Sequence, residues 1–181
     1  MSRPRDMYEH ILLPTDGSAL SREATRRGVA FARALGARAT ALHVTPVFRP
    51  SELHAHAILR EVYEEEVRSR AAAHRVLDVV VRIAHHAGVA CEPMHRVSDR
   101  PWEAILQAAA EEGCDLISMG SHGWSGVRAL VLGSTTNKVL AHARLAVLVW
   151  PPPHPSPASQ GREQLPPRPA GEGRGPGSRF N

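Results

Sequence analysis

The residues best equipped for chemistry in this chain are Gly120-Ser121-His122-Gly123 and, after the nine residues Trp124 to Leu132, Gly133-Ser134-Thr135-Thr136. They suit the holding of an anion. Glycine lets a backbone approach a phosphate closely and take positive φ without strain. The amides freed at glycine turns and at a helix N-terminus point outward, where the helix dipole favours negative charge. Ser134 is expected to cap the following helix and to donate to phosphate. The stretch begins where the apolar run Asp115-Leu116-Ile117-Ser118-Met119 ends and leads into a helical pattern from Asn137 to Ala143. The chemistry it offers is a nucleotide-phosphate cradle.

Other phosphate devices do not match. No Gly-Lys-Ser/Thr follows, so this is not a Walker A loop, and the first strand-to-helix turn, Pro14-Thr15-Asp16-Gly17, is not Gly-x-Gly-x-x-Gly. A receiver domain needs clustered acids after the first strand and a phosphoacceptor after the third. Here Asp16 stands alone at the first, and Asp99 merely leads into a helix. Aromatic residues make up only 4% of the chain, too few for the stacking partners of a flavin. His54, His56, His85 and His86 lack the spacing and acidic company of a metal site.

Charge and composition narrow the partners. The net charge is +4, but arginines such as Arg60, Arg68 and Arg70 are interleaved with Glu61, Glu64, Glu65 and Glu66. A nucleic-acid binder concentrates basic residues on one face with aromatics for stacking, so this pattern reads as a solvated surface. No apolar run reaches the ~18 residues that span a bilayer. The start, MSRPRDMYEH, lacks an apolar signal core, and the expectation is a cytoplasmic protein with no membrane partner. Cys91 and Cys114 have no paired spacing and read as small buried thiols.

The elements that must position the cradle alternate. Strands are expected over 8–14, 38–44, 89–97, 115–119 and 145–150; helices over 19–35, 52–87, from Pro101 to before Gly113, and 137–143. Ser18 caps the first helix and Gly36 closes it. Pro93 pushes the third strand toward a sheet edge. This order predicts a single doubly wound, Rossmann-like α/β domain over 1–150, with a five-stranded parallel sheet covered on both faces. Its ligand belongs where the strand order reverses. Residues 151–181 hold nine of the fifteen prolines and almost no large apolar side chains, and are expected to form a disordered tail.

The spacing Gly120-x-x-Gly123, nine residues, Gly133-Ser134 resembles the ATP-binding branch of the universal stress proteins. So do the opening Leu12-Leu13-Pro14-Thr15-Asp16-Gly17-Ser18 and the ending LGSTTNKVLAHARLAVLVW, giving three segments in order over roughly residues 8 to 150. The resemblance implies strand order 3-2-1-4-5 and a nucleotide across the carboxyl ends of strands one and four. It places Pro14, Thr15 and Asp16 along the adenine and ribose, with Asp16 accepting hydrogen bonds and able to approach a metal. Val44 would press on the adenine face. Met119, Gly120, Ser121, His122 and Gly123 would wrap ribose and phosphates, and Gly133, Ser134 and Thr135 would close on the terminal phosphates. The ligand implied is ATP, with or without Mg²⁺.

Two departures stand out. Trp124 occupies a position often basic in relatives, which removes one phosphate partner, and Arg128 is the nearby substitute. Leu145-Ala146 replaces a frequent Cys-Pro before the last strand, leaving that strand apolar. An unprotected apolar edge over Ala146–Trp150 predicts a homodimer through the last strand. The leading reading is a nucleotide-binding stress or signalling module, with occupancy ordering the loop from Trp124 to Leu132. The alternative is a weak Mg-dependent ATP hydrolase or phosphotransfer protein, for which Asp16 and His122 are the candidate groups. A third is a nucleotide-free interaction module, against which the intact glycines weigh.

Overall fold

The computed structural model describes residues 7–49, 55–121 and 132–152. Five strands, β1 (His10–Pro14), β2 (Arg38–Thr45), β3 (Cys91–Val97), β4 (Leu116–Gly120) and β5 (Ala146–Trp150), alternate with four helices. The helices are α1 (Ala19–Leu35), α2 (Ala55–His86), α3 (Pro101–Glu111) and α4 (Ser134–His142). The strands form one parallel sheet in the order β3-β2-β1-β4-β5, as the resemblance implied. The chain runs outward from β1 to β3, then returns to lay β4 beside β1, so the order reverses between those two strands.

Alternation along buried strands builds two cores. Ile11 and Leu13 of β1 face Val29, Ala32, Leu77, Val80 and Ala84 of α1 and α2. Leu12 faces the opposite side, packing with Ile105, Ala108, Ala109 and Val139 of α3 and α4. With helices on both faces of the sheet, a period of two leaves neither side of a central strand to solvent, which is why Ile11, Leu12 and Leu13 read as a continuous apolar run. Gly28 sets how near α1 lies to the sheet. A Cβ there would fall 2.7 Å from both Leu13 Cδ2 and Ser118 Oγ.

Several element ends differ from expectation, each for a local reason. The last helix begins at Ser134, not Asn137, and its N-cap is Gly133, not Ser134. Its first turn is hydroxyl-rich and has no apolar residue before Val139, so hydrophobic periodicity does not reveal it; Thr136 Oγ1 pins that turn by donating to Gly120 O at 3.0 Å. The third strand starts at Cys91, since Val89 N–H is used to close α2, donating to Ala84 O at 2.9 Å. Pro93 does sit on an edge strand. Residues 52–54 of the expected long helix and 153–181 of the expected tail lie outside the described residues.

Candidate functional site

Parallel strands leave their carboxyl ends open between the helix starts, and here β1, β2 and β4 frame a cavity of about 350 Å³. β1 delivers Pro14 and then a tightly bonded turn. Thr15 N–H donates to Leu42 O at 2.8 Å, and Thr15 Oγ1 shares a hydrogen bond of 2.7 Å with Ser21 Oγ. Ser21 Oγ also accepts from Asp16 N–H at 3.2 Å, and Asp16 Oδ1 accepts from Ser18 N–H at 3.0 Å. Such Asx-type bonds hold a turn in one conformation. Gly17 takes φ +78 there, and a Cβ on it would lie 2.9 Å from Val76 Cγ2 of α2. The turn therefore presents Asp16 to the cavity from a fixed backbone.

The other walls divide by chemistry. Leu42 and Val44, two apart on β2 and so on one face, join Pro101 and Ile105 of α3 and Met119 of β4 to supply apolar surface. Gly133, Ser134, Thr135 and Thr136 supply the start of α4. That helix has no acidic residue in its first turn, and the glycine at its N-cap has no side chain to take up the first amides. The first turn of α1, in contrast, is capped by Ser18, whose Oγ accepts from Ser21 N–H at 3.1 Å. The cavity thus joins an apolar wall to a helix N-terminus that favours an anion.

Of the residues expected from sequence, Pro14, Thr15, Asp16, Val44, Met119, Gly120, Gly133, Ser134 and Thr135 come together around this cavity. Ser121 is not among the described residues that line it. Ser121 is buried as a strut, donating from N–H to Trp150 O at 2.9 Å and accepting from Gly133 N–H at 2.8 Å. That position ties the end of β5 to the start of α4. His122, Gly123, Trp124 and Arg128 lie outside the described residues.

Ser21, Leu42, Pro101 and Ile105 also line the cavity without having been expected there, and Thr136, the last residue of the expected Gly-Ser-Thr-Thr run, joins them. Of the four, Leu42 carried a signal, since it precedes Val44 by one strand period. Among the described residues no group of three or more His, Cys, Asp and Glu could hold a metal. The cysteines are unpaired, and burial pushes their thiols up to about 11 at Cys91 and about 12 at Cys114, which keeps them protonated and unreactive. No described helix is long and apolar enough to cross a membrane.

Comparison with known proteins places this geometry among relatives. The model of the universal stress protein family matches residues 7–151. A universal stress protein of Thermus aquaticus is 36% identical over 147 residues, covering 79% of this chain and 98% of the relative. The solved structure of MJ0577, from Methanocaldococcus jannaschii, is 28% identical with a TM-score of 0.67, covering 79% of this chain and 95% of that one. A universal stress protein of Archaeoglobus fulgidus, solved in complex with dAMP, shares the fold at 22% identity and a TM-score of 0.56, covering 79% of this chain and 98% of that one.

Proposed function

This chain belongs to the universal stress protein family, and on that premise we propose that it binds an adenine nucleotide, ATP in the first instance, as a module regulated by occupancy. The observation that carries the proposal is the start of α4, a glycine-capped helix N-terminus with a hydroxyl-rich first turn opening on a cavity that Asp16 shares. The likeness to the dAMP complex speaks for the fold; the ligand class rests on this chain's own walls. Leu42, Val44 and Met119 offer a base an apolar seat, Asp16 accepts from ribose hydroxyls, and Gly133, Ser134 and Thr135 take the phosphates. A volume of about 350 Å³ is within the range of small-molecule sites.

Mg²⁺ fits as a companion of the phosphates. Asp16 is the one carboxylate among the described residues lining the cavity, and Mg²⁺ commonly takes one or two carboxylates beside substrate phosphates. It would supply charge neutralisation on the phosphate chain, with Asp16 as its protein ligand. We assign the module to residues 1–150 and treat 151–181 as an appended tail. A homodimer through β5 completes the proposal. Among the described residues that strand pairs with β4 alone and presents Ala146 to Trp150, all half-buried, at the edge. The protonated, unpaired thiols accord with a reducing, cytoplasmic setting.

The test is to purify the protein, denature it and assay the released nucleotide, then to measure the thermal shift produced by ATP-Mg²⁺ on the unsubstituted chain and on Gly133→Val. Binding raises the apparent stability of the unsubstituted chain and not of the variant. Absence of both released nucleotide and a thermal shift overturns the proposal. Hydrolysis well above background that is lost in Asp16→Asn would move the reading to a weak ATP hydrolase.

A further inference from the structure

The turn that carries Asp16 is gripped from a side that neither the glycine pattern nor the cavity reveals. Its Thr15 carbonyl accepts a hydrogen bond of 2.7 Å from Nδ1 of His43, a half-buried residue of β2. A carbonyl oxygen only accepts, so Nδ1 must carry the proton. His43 itself does not line the cavity; its strand neighbours Leu42 and Val44 do, because they point to the opposite face. On its own face His43 pairs in register with His95 of β3, the rings stacked at 6.4 Å with an interplanar angle of 22°. His95 Nε2 in turn shares a hydrogen bond of 2.8 Å with Thr45 Oγ1, which fixes the second ring. Burial first, and then His43, His74 and Arg70, hold His95 below the ordinary histidine pKa, so the stacked neighbour stays uncharged near neutrality.

We infer that His43 is a positioning residue for the nucleotide site: by donating from Nδ1 to the Thr15 carbonyl it fixes the Thr15–Gly17 turn and thereby aims Asp16. The inference rests on the nucleotide reading for its functional consequence, and on geometry alone for the fastening of the turn. Thr15 is held on three sides, at N–H by Leu42 O, at Oγ1 by Ser21 and at its carbonyl by His43. The first two bonds fix where the residue sits. The third fixes the plane of the peptide that joins it to Asp16, together with the longer bond of 3.2 Å that Asp16 N–H of the same peptide donates to Ser21 Oγ. Rotation of the peptide would swing Asp16 and break its bond to Ser21, while leaving the backbone bonds of the sheet and of α1 in place.

Three measurements test it. In the unsubstituted protein, imidazole ¹⁵N spectra near pH 8 should show His43 protonated at Nδ1. His43→Ala should speed hydrogen exchange at the Asp16 and Gly17 amides and weaken ATP-Mg²⁺ binding roughly tenfold, the equivalent of one lost hydrogen bond. His43→Asn, whose Nδ2 stands near the place of Nδ1, should restore slow exchange and most of the affinity. Protonation at Nε2 instead, unchanged exchange in His43→Ala, or an Asn variant no better than Ala each overturns the inference. Should the unsubstituted chain bind no nucleotide, the functional proposal fails, while the spectra and the exchange data still decide whether His43 fastens the turn.

Discussion

At the amino-terminal end of the sheet the chain satisfies its polar groups with its own side chains. Asp115 Oδ2 accepts from Glu9 N–H at 2.7 Å, and the carboxylate reaches His10 N–H at 3.3 Å. The buried His10 ring shares bonds with Thr40 Oγ1 at 2.7 Å and with Glu112 O at 3.0 Å. At the carboxyl-terminal end the helix starts are treated unequally. Ser18 caps α1, whereas α4 starts at Gly133 beside the cavity. One sheet thus has an end sealed by side chains and an end where the start of α4 meets the cavity without a side-chain cap. Stability and binding should therefore be separable by substitution.

The largest expected effect comes from giving α4 the kind of cap that α1 has. Gly133 has φ −57 and ψ 148, a conformation open to any residue, so Gly133→Asp introduces no backbone strain. Its carboxylate would accept from the first-turn amides and repel phosphate. Calorimetry should show ATP affinity reduced by about 100-fold, near 2.7 kcal/mol, with a melting temperature unchanged or raised. A variant that binds as tightly as the unsubstituted chain would show that α4 does not receive the phosphates.

The reverse experiment is made at the sealed end. Asp115→Ala removes the acceptor of Glu9 N–H and should cost about 1–2 kcal/mol of stability, the scale of one charge-assisted bond at a partly exposed site. The folded variant should keep its nucleotide affinity. Loss of affinity in step with stability would mean that the two ends are not independent. Next in size is Ser18→Ala, which should cost about 1 kcal/mol through the lost cap of α1 and lower the melting temperature by roughly 2–4 °C. Binding should change little, because Ser18 does not line the cavity.

How much of this was legible in the sequence follows the same division. Alternating apolar runs and helical periodicity gave the element order, and Ser18, Gly36 and Pro101 marked helix ends where they occur. The start of α4 was misplaced because Ser134, Thr135 and Thr136 are polar, and periodicity registers only apolar spacing. The glycine and hydroxyl residues of the cavity were legible as local chemistry. Ile105 and Pro101 were not, since they reach the cavity only when α3 packs against β2 and α4. Ser121 lies inside the motif, but its backbone bonds to Trp150 and Gly133, which tie the end of β5 to the start of α4, were not legible there because they depend on β4 pairing with β5. His43 carries no motif at all; its bond to Thr15 exists only because β1 and β2 pair in one register.

The smallest effect is a pH dependence, and its sign follows from the sealed end. Burial first, and Arg38 second, hold the His10 pKa below the ordinary 6.5. The folded protein therefore keeps His10 neutral, with Nδ1–H donating to Glu112 O and Nε2 accepting from Thr40 Oγ1. As pH falls through 6.5 the unfolded chain takes up a proton that the folded chain still refuses, so stability declines. Above that range neither state is charged at this site and the contribution is pH-independent. The decline stops growing once pH passes below the folded value. His95 is lowered in the same direction, so the measurement must be a difference. Melting curves of His10→Asn, whose amide can still donate to Glu112 O, should fall less steeply on acidification than those of the unsubstituted protein. Parallel slopes would mean that His10 does not carry the effect. Nucleotide affinity, compared between the two proteins at each pH, should not separate them, because the proton is taken up at the opposite end of the sheet from the cavity.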